Sequence, residues 1–330
     1  MHKDLLILFH PDPPDQDSVE PSSVDPADSS KRNAQRFGVW MARQELVPQQ
    51  VICDARLSSR TIAEKSSKSV GLDAQIVREE AMFAQGDEGA PRGVLSKLDS
   101  DTQCALLVMP RATAIDLAGY VCGSDAGSIQ ESIGSGTDVL LHLMLGNGWG
   151  EAVAGGGDWV QAVDAVTLPK KFPFPGVDGP QRRARPAYYY RQSAVIPFRV
   201  RDGKPEVLVV STSKRKRWGV PKGIHEPGRT AQESAANEAF EEAGVRGNVL
   251  DFEMGHYVYA KWGATCEVHV FPMQVTEVLD PSEWAESHRG REWLSPAAAA
   301  DRVHQDELKA MIRRLPERIA RSMDDGDNDG

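Results

Sequence analysis

A proline-rich segment near the middle of the chain most constrains what this sequence can fold into. Helix interiors and central strands exclude proline, yet five prolines and three arginines fall within or beside residues 170–190: Pro169, Pro173, Pro175, Pro180 and Pro186, with Arg182, Arg183 and Arg185. The chain of 330 residues is also long for one domain of about 100–200 residues. We therefore predict two domains, 1–172 and 189–322, joined by a Pro/Arg-rich linker over 173–188 and followed by an acidic tail over 323–330.

The composition excludes several classes of protein. No run approaches the roughly 18 apolar residues of a membrane span, and Leu5–Phe9 is too short for a signal-peptide core. The cysteines are scattered, so neither a disulfide framework nor a zinc site is predicted: Cys53, Cys104, Cys122 and Cys266. We expect a cytoplasmic protein with no membrane partner. Its net charge of −10 argues against an extended nucleic-acid interface, but it is compatible with a small phosphorylated ligand held by a local basic cluster.

The N-terminal half alternates short apolar runs with helical patterns. The runs Leu5–Phe9, Val51–Cys53 and Cys104–Met109 are typical of buried strands, and helical patterns surround Phe37–Met41, Thr61–Ser69 and Arg92–Leu98. This alternation predicts an α/β layer fold with a largely parallel sheet. We interpret the glycine-rich stretch Gly123–Gly157 as turns, because it lacks the G-x-x-x-x-G-K-[ST] motif that binds phosphate.

The C-terminal half predicts a hairpin followed by a sharply delimited helix. Asp202-Gly203 is a hairpin turn signal between the apolar runs 194–200 and 206–210. A helix over 230–243 begins with the capping box Thr230-x-x-Glu233 and ends at Gly244. Its expected core stripe is Ala236, Ala239, Phe240 and Ala243. Strands near 257–260 and 267–275 and a final helix over 296–315 complete the domain.

Three glutamates fall on one face of the helix over 230–243. Glu238, Glu241 and Glu242 stand at i, i+3 and i+4, so their carboxylates are neighbours that repel one another. A hard divalent cation such as Mg²⁺ would relieve this repulsion and could also bind phosphate oxygens of a substrate. A solvated acidic face is the alternative. The delimited helix and the preceding glycine-containing turn favour the metal site.

The stretch from Gly223 to Val245 resembles the Nudix box, G-x5-E-x7-R-E-U-x-E-E-x-G-U, where U is a bulky apolar residue. The matching residues are Gly223, Glu238, Glu241, Glu242, Gly244 and Val245. Arg229 and Asn237 replace the first Glu and the Arg of the box. The resemblance implies an α/β/α sandwich with a mixed sheet and metal-dependent hydrolysis of a phosphoanhydride. It also implies that the three glutamates and the Gly223 carbonyl bind Mg²⁺ or Mn²⁺. Glu242, or alternatively Glu267, would orient the attacking water.

The similarity extends beyond the box, over about residues 189–316. The segments 210–223 and 289–295 are similar to those of diphosphoinositol polyphosphate phosphohydrolases, which implies substrate contacts from Arg191, Lys214 and Arg289. One family arginine falls on Ser193. The cluster Lys214-Arg215-Lys216-Arg217, together with Lys222, is predicted to hold phosphate groups, although a solvated basic loop is the alternative. The substrate class stays open among inositol pyrophosphates, dinucleoside polyphosphates, nucleotide sugars, capped RNA ends and phosphoribosyl pyrophosphate.

Residues 1–172 resemble the histidine phosphatase superfamily, and within it the short bacterial phosphohistidine phosphatases. The similar segments are 5–10, 51–64 and 106–120. His10 holds the position of the nucleophile. Phe9 and Ser58 stand in place of two arginines, and Pro110 stands in place of a second histidine. Without fixed cations little stabilises a transferring phosphoryl group, so we predict a catalytically silent domain.

Two functions remain open at this point. The retained glutamates favour a Nudix-type pyrophosphohydrolase acting on a polyphosphorylated small molecule. Arg229 and Asn237 favour a non-catalytic sensor of a phosphorylated ligand. The sequence does not determine the oligomeric state.

Overall fold

A computed structural model describes residues 2–11, 25–80, 93–133, 138–146, 148–149, 155–176, 179–214 and 216–326. The chain divides into two compact units, Met1–Phe172 and Pro173–Gly330. Among the helices so described, none has the length and apolar character needed to span a membrane.

Within its described residues, the first unit contains six strands and four α-helices. They are β1 (Lys3–His10), α1 (Asp28–Arg43), β2 (Gln50–Asp54), α2 (Leu57–Val70), β3 (Val77–Glu80), β4 (Cys104–Pro110), α3 (Arg111–Cys122), α4 (Ala126–Ile133), β5 (Val139–Leu145) and β6 (Gly157–Asp164). The strands form one sheet in the order β3-β2-β4-β1-β5-β6. The first four are parallel, whereas β5 and β6 are antiparallel to their neighbours.

Helices cover both faces of this sheet. Leu5 and Ile7 of β1 belong to the core on the α3 and α4 side, and the alternating Leu6 and Leu8 belong to the core on the α1 and α2 side. The α/β layers and the strands β1, β2 and β4 are therefore confirmed. The sheet is mixed rather than largely parallel.

The interpretation of Gly123–Gly157 as turns holds at Gly123 and Gly155, with φ of +64° and +79°, but was wrong for residues 126–133 and 139–145. This stretch contains α4 and the buried strand β5, which pairs with β1 along its whole length. The apolar run Val139–Leu145 is itself a strong strand signal, but glycines on both sides obscured it.

The second unit contains a small hairpin and a larger mixed sheet. Its elements are β7 (Phe172–Gly176), β8 (Gly179–Arg183), β9 (Arg191–Arg201), β10 (Lys204–Ser211), β11 (Trp218–Gly219), β12 (Lys222–Ile224), α5 (Ala231–Ala243), β13 (Val245–Val249), β14 (Gly255–Lys261), β15 (Ala264–Val278), β16 (Arg291–Leu294), α6 (Pro296–Arg302) and α7 (Asp306–Gly326). Strands β7 and β8 pair with each other, and the other eight form one sheet. Within it β9 and β15 are parallel, and the remaining described pairs are antiparallel.

The larger sheet lies between helices. On β9, Ile196 and Phe198 share a core with Leu308 and Ile312 of α7, whereas Val195 faces the core that includes α5. This arrangement is an α/β/α sandwich with a mixed sheet, as predicted. The predicted Asp202-Gly203 hairpin is also confirmed, with φ angles of +51° and +70° and Arg201 opposite Lys204.

One edge of β9 is shared by two strands. Residues 192–194 pair with β12, and residues 198–201 pair with β10. The strands β10 and β12 therefore pair with successive parts of the same edge of β9. The C-terminal end of α5 lies beside β12, where the Glu242 carboxylate accepts the Lys222 backbone N–H.

Three local expectations differ from the structure. The segment 173–188 forms the β7–β8 hairpin, because Phe174 packs edge-on against Tyr190 at 5.5 Å between ring centroids and Arg183 covers Phe174. The final helix is two helices, since Val303 leaves α6 to bridge Trp218. Helix α7 then continues past Pro316 to residue 326, so part of the expected tail is helical. Residues 327–330 lie outside the described part.

Candidate metal and phosphate site

The helix that carries the glutamates is fixed at both ends, as predicted. The Glu233 backbone N–H donates to Thr230 Oγ1 at 3.1 Å, and the Thr230 backbone N–H donates to Glu233 Oε2 at 2.8 Å. Gly244 ends the helix in the left-handed region with φ of +60°. The buried stripe is Ala235, Ala239 and Ala243, so the expected core positions Ala236 and Phe240 were wrong.

Glu238 lies against the backbone of Gly223. A Cβ atom at residue 223 would overlap the Glu238 carboxylate, so glycine at this position lets the carboxylate keep the place it has in the structure. Burial, followed by the charges of Glu242, Glu241 and Glu226, raises the pKa of Glu238 to about 8. The site therefore crowds carboxylates together in a poorly solvated place.

Glu242 is held from two sides. Its Oε2 accepts the Lys222 backbone N–H at 3.0 Å, and its Oε1 lies 2.8 Å from Arg289 Nη2. Arg289 is further fixed by an ion pair with Glu286 and by donation to the Ser211 carbonyl at 3.3 Å. Burial raises the pKa of Glu242, although the Lys222 N–H and Arg289 oppose that shift.

Glu241 is more exposed than Glu238 and Glu242. Its exposed side chain accepts from Asn237 Nδ2 at 2.7 Å, and its backbone carbonyl accepts from Trp284 Nε1 at 2.8 Å. Asn237 stands where the Nudix box has arginine. Within the described ranges, no three His, Cys, Asp or Glu side chains form a group that could hold a metal ion, and the assignment of the three glutamates as its ligands stays a prediction.

The donor set nevertheless fits a divalent cation. Carboxylate oxygens are the preferred ligands of Mg²⁺ and Mn²⁺, and the pKa of Glu238 is raised first by burial and then by the neighbouring carboxylates. Glu238 and Glu242 interact electrostatically one helical turn apart. Release of Glu242 by Arg289 is the change that would free the Glu242 carboxylate for an ion.

The Lys222 side chain forms a polar group that the sequence did not predict. Its Nζ donates to Tyr259 Oη at 3.2 Å and Gln192 Oε1 at 3.4 Å, and Tyr259 Oη donates to Gln192 Oε1 at 2.7 Å. Burial lowers the pKa of Lys222, while Glu242 and Glu238 counteract the shift. The one available signal was Gln192, a polar residue just before the apolar run that starts at Ala194.

The remaining predicted ligand residues are more exposed. Arg191 is exposed on β9 and is in register with Glu267, another exposed residue, whose Oε2 lies 3.8 Å from His269 Nε2. The basic cluster lies in the exposed loop between β10 and β11, which includes Lys214, Lys216 and Arg217, whereas Arg215 is outside the described residues. The Arg229 carbonyl accepts a hydrogen bond from His225 Nε2 at 2.9 Å in the turn before α5.

In the first unit, His10 is buried at the end of β1. It is 2% exposed, and its Nε2 lies 3.0 Å from Ser59 Oγ. Its Nδ1 lies 2.9 Å from the Pro11 carbonyl, which can only accept, so Nδ1 carries the proton and Nε2 accepts from Ser59. Arg111 stacks over the Phe9 ring at 5.0 Å. Ser58 is buried, and Pro110 precedes the first residue of α3.

Comparison with known proteins places the second unit in a family. Residues 190–315 match the NUDIX domain. Nudix hydrolase 17, mitochondrial, of Arabidopsis thaliana is 35% identical over 138 residues, covering 39% of this chain and 74% of that protein. Diphosphoinositol polyphosphate phosphohydrolase 3-beta of Bos taurus is 35% identical over 113 residues, covering 33% of this chain and 66% of that protein.

A solved structure also resembles part of the chain. The putative phosphohistidine phosphatase SixA from Nakamurella multipartitia is 12% identical, with a TM-score of 0.42, covering 49% of this chain and 96% of that one.

Three observations define the class of protein to which this chain belongs: the sandwich fold, the glutamate helix with its fixed ends, and the similarity to these relatives. The chain belongs to the Nudix hydrolase family, and its second unit is that of a Nudix pyrophosphohydrolase.

Proposed function

We propose that the second unit hydrolyses a phosphoanhydride bond in a polyphosphorylated small molecule, of the inositol pyrophosphate or dinucleoside polyphosphate type. The observation that carries this proposal is the pairing of the Glu238 carboxylate with the bare backbone of Gly223. This arrangement keeps a buried carboxylate in the Nudix box although Arg229 and Asn237 depart from the motif.

We assign the ion to Glu238, Glu241 and Glu242, with the Gly223 carbonyl as a further ligand. Bound Mg²⁺ or Mn²⁺ would polarise the phosphate and lower the pKa of the attacking water. Glu242 is the residue that we propose to orient this water, because the Lys222 N–H already fixes one of its oxygens. The exposed Glu267 is the less favoured alternative, since its carboxylate neighbours His269 rather than α5.

Two groups of cations are available for phosphate oxygens. The partly buried Lys222 ammonium donates to two neutral acceptors, Gln192 Oε1 and Tyr259 Oη, and its charge also interacts with the carboxylates of Glu242 and Glu238. Arg289 would transfer from Glu242 to the substrate once an ion neutralises that glutamate. The exposed loop with Lys214, Lys216 and Arg217 would hold phosphate groups farther from the bond that is cleaved, and Arg191 would extend the same basic surface.

The second candidate function is a sensor that binds a phosphorylated ligand without turnover. The ion pair between Arg289 and Glu242 favours it, because that contact competes with a metal ion. The full chain should therefore be assayed with Mg²⁺ and then Mn²⁺ against inositol pyrophosphates, dinucleoside polyphosphates, nucleotide sugars, capped RNA ends and phosphoribosyl pyrophosphate. Metal-dependent phosphate release from any of these supports the enzyme. Binding without release from all of them supports the sensor.

For the first unit, we propose a phosphatase-like fold without phosphatase activity. The buried His10 is held by Ser59 and the Pro11 carbonyl, and the aromatic ring of Phe9 occupies the adjacent position where the resemblance expects arginine.

A further inference from the structure

Ser193 carries a buried hydroxyl next to the proposed metal site. The residue is 0% exposed, and among the described residues none lies within hydrogen-bond distance of its Oγ. A buried polar group without a partner costs about 1–3 kcal/mol, and such groups are uncommon in folded proteins. The hydroxyl therefore needs either a structural explanation or a ligand-dependent partner.

The strand register identifies the partner. Ser193 on β9 is directly opposite Gly223 on β12, so side chains at these positions point to the same face of the sheet. On that face the Glu238 carboxylate fills the space that a Cβ of residue 223 would take. Opposed Cβ atoms lie about 4.5–5.5 Å apart, which places the carboxylate within reach of the Ser193 hydroxyl after a change of χ1.

The neighbour on the other side does not compete for this hydroxyl. His269 of β15 is in register with Ser193, but its Nδ1 lies 3.1 Å from Glu253 and its Nε2 lies 3.8 Å from Glu267. The imidazole is thus already hydrogen-bonded to Glu253, and its Nε2 side lies near Glu267. Glu238 is the acceptor that remains beside Ser193, and it becomes a stronger acceptor when it is ionised.

We propose that Ser193 is a positioning residue, whose hydroxyl donates a hydrogen bond to the Glu238 carboxylate when that carboxylate binds a divalent cation. The bond would hold one carboxylate oxygen and leave the other directed at the ion, as hydrogen bonds to metal-ligating carboxylates do generally. This inference rests on the proposed metal site. It goes beyond it by assigning a role to a residue where the resemblance expects an arginine that contacts substrate.

The test compares Ser193→Ala with Ser67→Ala in the full chain. Ser67 is a matched control because it is also buried, at 1% exposure, and its Oγ also lacks a partner among the described residues, but it belongs to the first unit. The readouts are Mn²⁺ affinity by equilibrium binding and the melting temperature with and without Mn²⁺. Ser193→Cys, of similar size but a weak donor, serves as a second variant.

We expect Ser193→Ala to leave the metal-free melting temperature unchanged or raised, because it removes an unsatisfied group. Mn²⁺ affinity should fall about ten- to hundredfold, the scale of one hydrogen bond to a charged group that ligates a metal, and the Mn²⁺-induced rise in melting temperature should shrink. Ser193→Cys should behave similarly, and Ser67→Ala should change neither Mn²⁺ readout. A lower metal-free melting temperature with unchanged Mn²⁺ affinity would show a purely structural role and overturn the inference.

The outcome for wild-type protein separates this inference from the proposed function. If wild type binds Mn²⁺ but hydrolyses nothing, the proposed function fails while the Ser193 comparison still stands. If wild type hydrolyses its substrate and Ser193→Ala binds Mn²⁺ equally well, only the inference fails. Absence of Mn²⁺ binding by wild type overturns both.

Discussion

Arg289 and Glu242 form a partly buried ion pair, with Nη2 and Oε1 2.8 Å apart, at the position where the metal is expected to bind. The Arg289 guanidinium neutralises the negative charge of Glu242, which a bound metal ion would otherwise neutralise. Metal binding and this ion pair are therefore alternatives for the same carboxylate.

We expect Arg289→Ala to bind Mn²⁺ more tightly than wild type, by about three- to tenfold, because the competing cation is removed. The same variant should show a higher KM for any accepted substrate, since the arginine would contact phosphate in the metal-bound state. Arg302→Ala is the matched control, because Arg302 pairs with Glu292 at 3.1 Å on the exposed surface. Weaker Mn²⁺ binding by Arg289→Ala would mean that the arginine supports the site rather than competing for it.

The three glutamates Glu238, Glu241 and Glu242 should differ in how far their substitution lowers kcat. Glu238→Gln and Glu242→Gln should each lower kcat by two orders of magnitude or more, because both side chains are largely buried at the proposed ion. Glu241→Gln should have a smaller effect, since Glu241 is exposed and held by Asn237. Circular dichroism and kcat/KM on the three variants check this order, with Glu277→Gln as an exposed control paired to Arg246. Equal losses at 241 and 242 would contradict the order.

Stability without metal should fall as pH rises. The pKa of Glu238 is raised to about 8 from an ordinary 4.5, so the folded protein holds a proton that the unfolded chain releases. The stability that protonated Glu238 contributes is complete below pH 4.5 and is lost as pH rises through 8. Melting temperatures of metal-free protein between pH 5 and 8 should decline more steeply for wild type than for Glu238→Gln. Mn²⁺ affinity should increase over the same range, because the ion displaces the proton.

The first unit should not form phosphohistidine. His10 is buried and its Nε2 accepts from Ser59, so no nitrogen is presented for phosphoryl transfer. Full-length protein treated with a small phosphodonor and analysed by mass spectrometry should carry no phosphate on His10. His10→Ala should lower the unfolding free energy by roughly 1–3 kcal/mol, because Ser59 loses its buried acceptor, and leave hydrolysis by the second unit unchanged. A labelled His10 would contradict the silent assignment.

The parts of the site that are contiguous in sequence could be predicted, and the parts assembled across strands could not. Thr230, Glu233 and Gly244 determine the ends of α5 by local hydrogen bonds, so the bounds of this helix could be predicted from the sequence alone. The group around Lys222 depends on Gln192 and Tyr259, which lie on two other strands. Their proximity follows from strand register, which periodicity does not specify.

The same limit explains the errors in the fold. The proline-rich segment forms a packed hairpin because the rings of Phe174 and Tyr190 pack against each other. Local residue propensities do not predict such a contact. Glycines around β5 suggested turns, although pairing with β1 and β6 determines the conformation there. In each case a tertiary contact outweighed the local signal.

The parallel pairing of β9 with β15 has a consequence for how this unit comes to be folded during synthesis. Arg191 is in register with Glu267, so the pair closes a long loop of chain that contains β12 and α5. Local hairpins such as that at Asp202-Gly203 can form as soon as they emerge, but β9 lacks its second neighbour until β15 has left the ribosome. Because distant pairings form late, we expect the glutamate helix to acquire its final setting only near the end of translation.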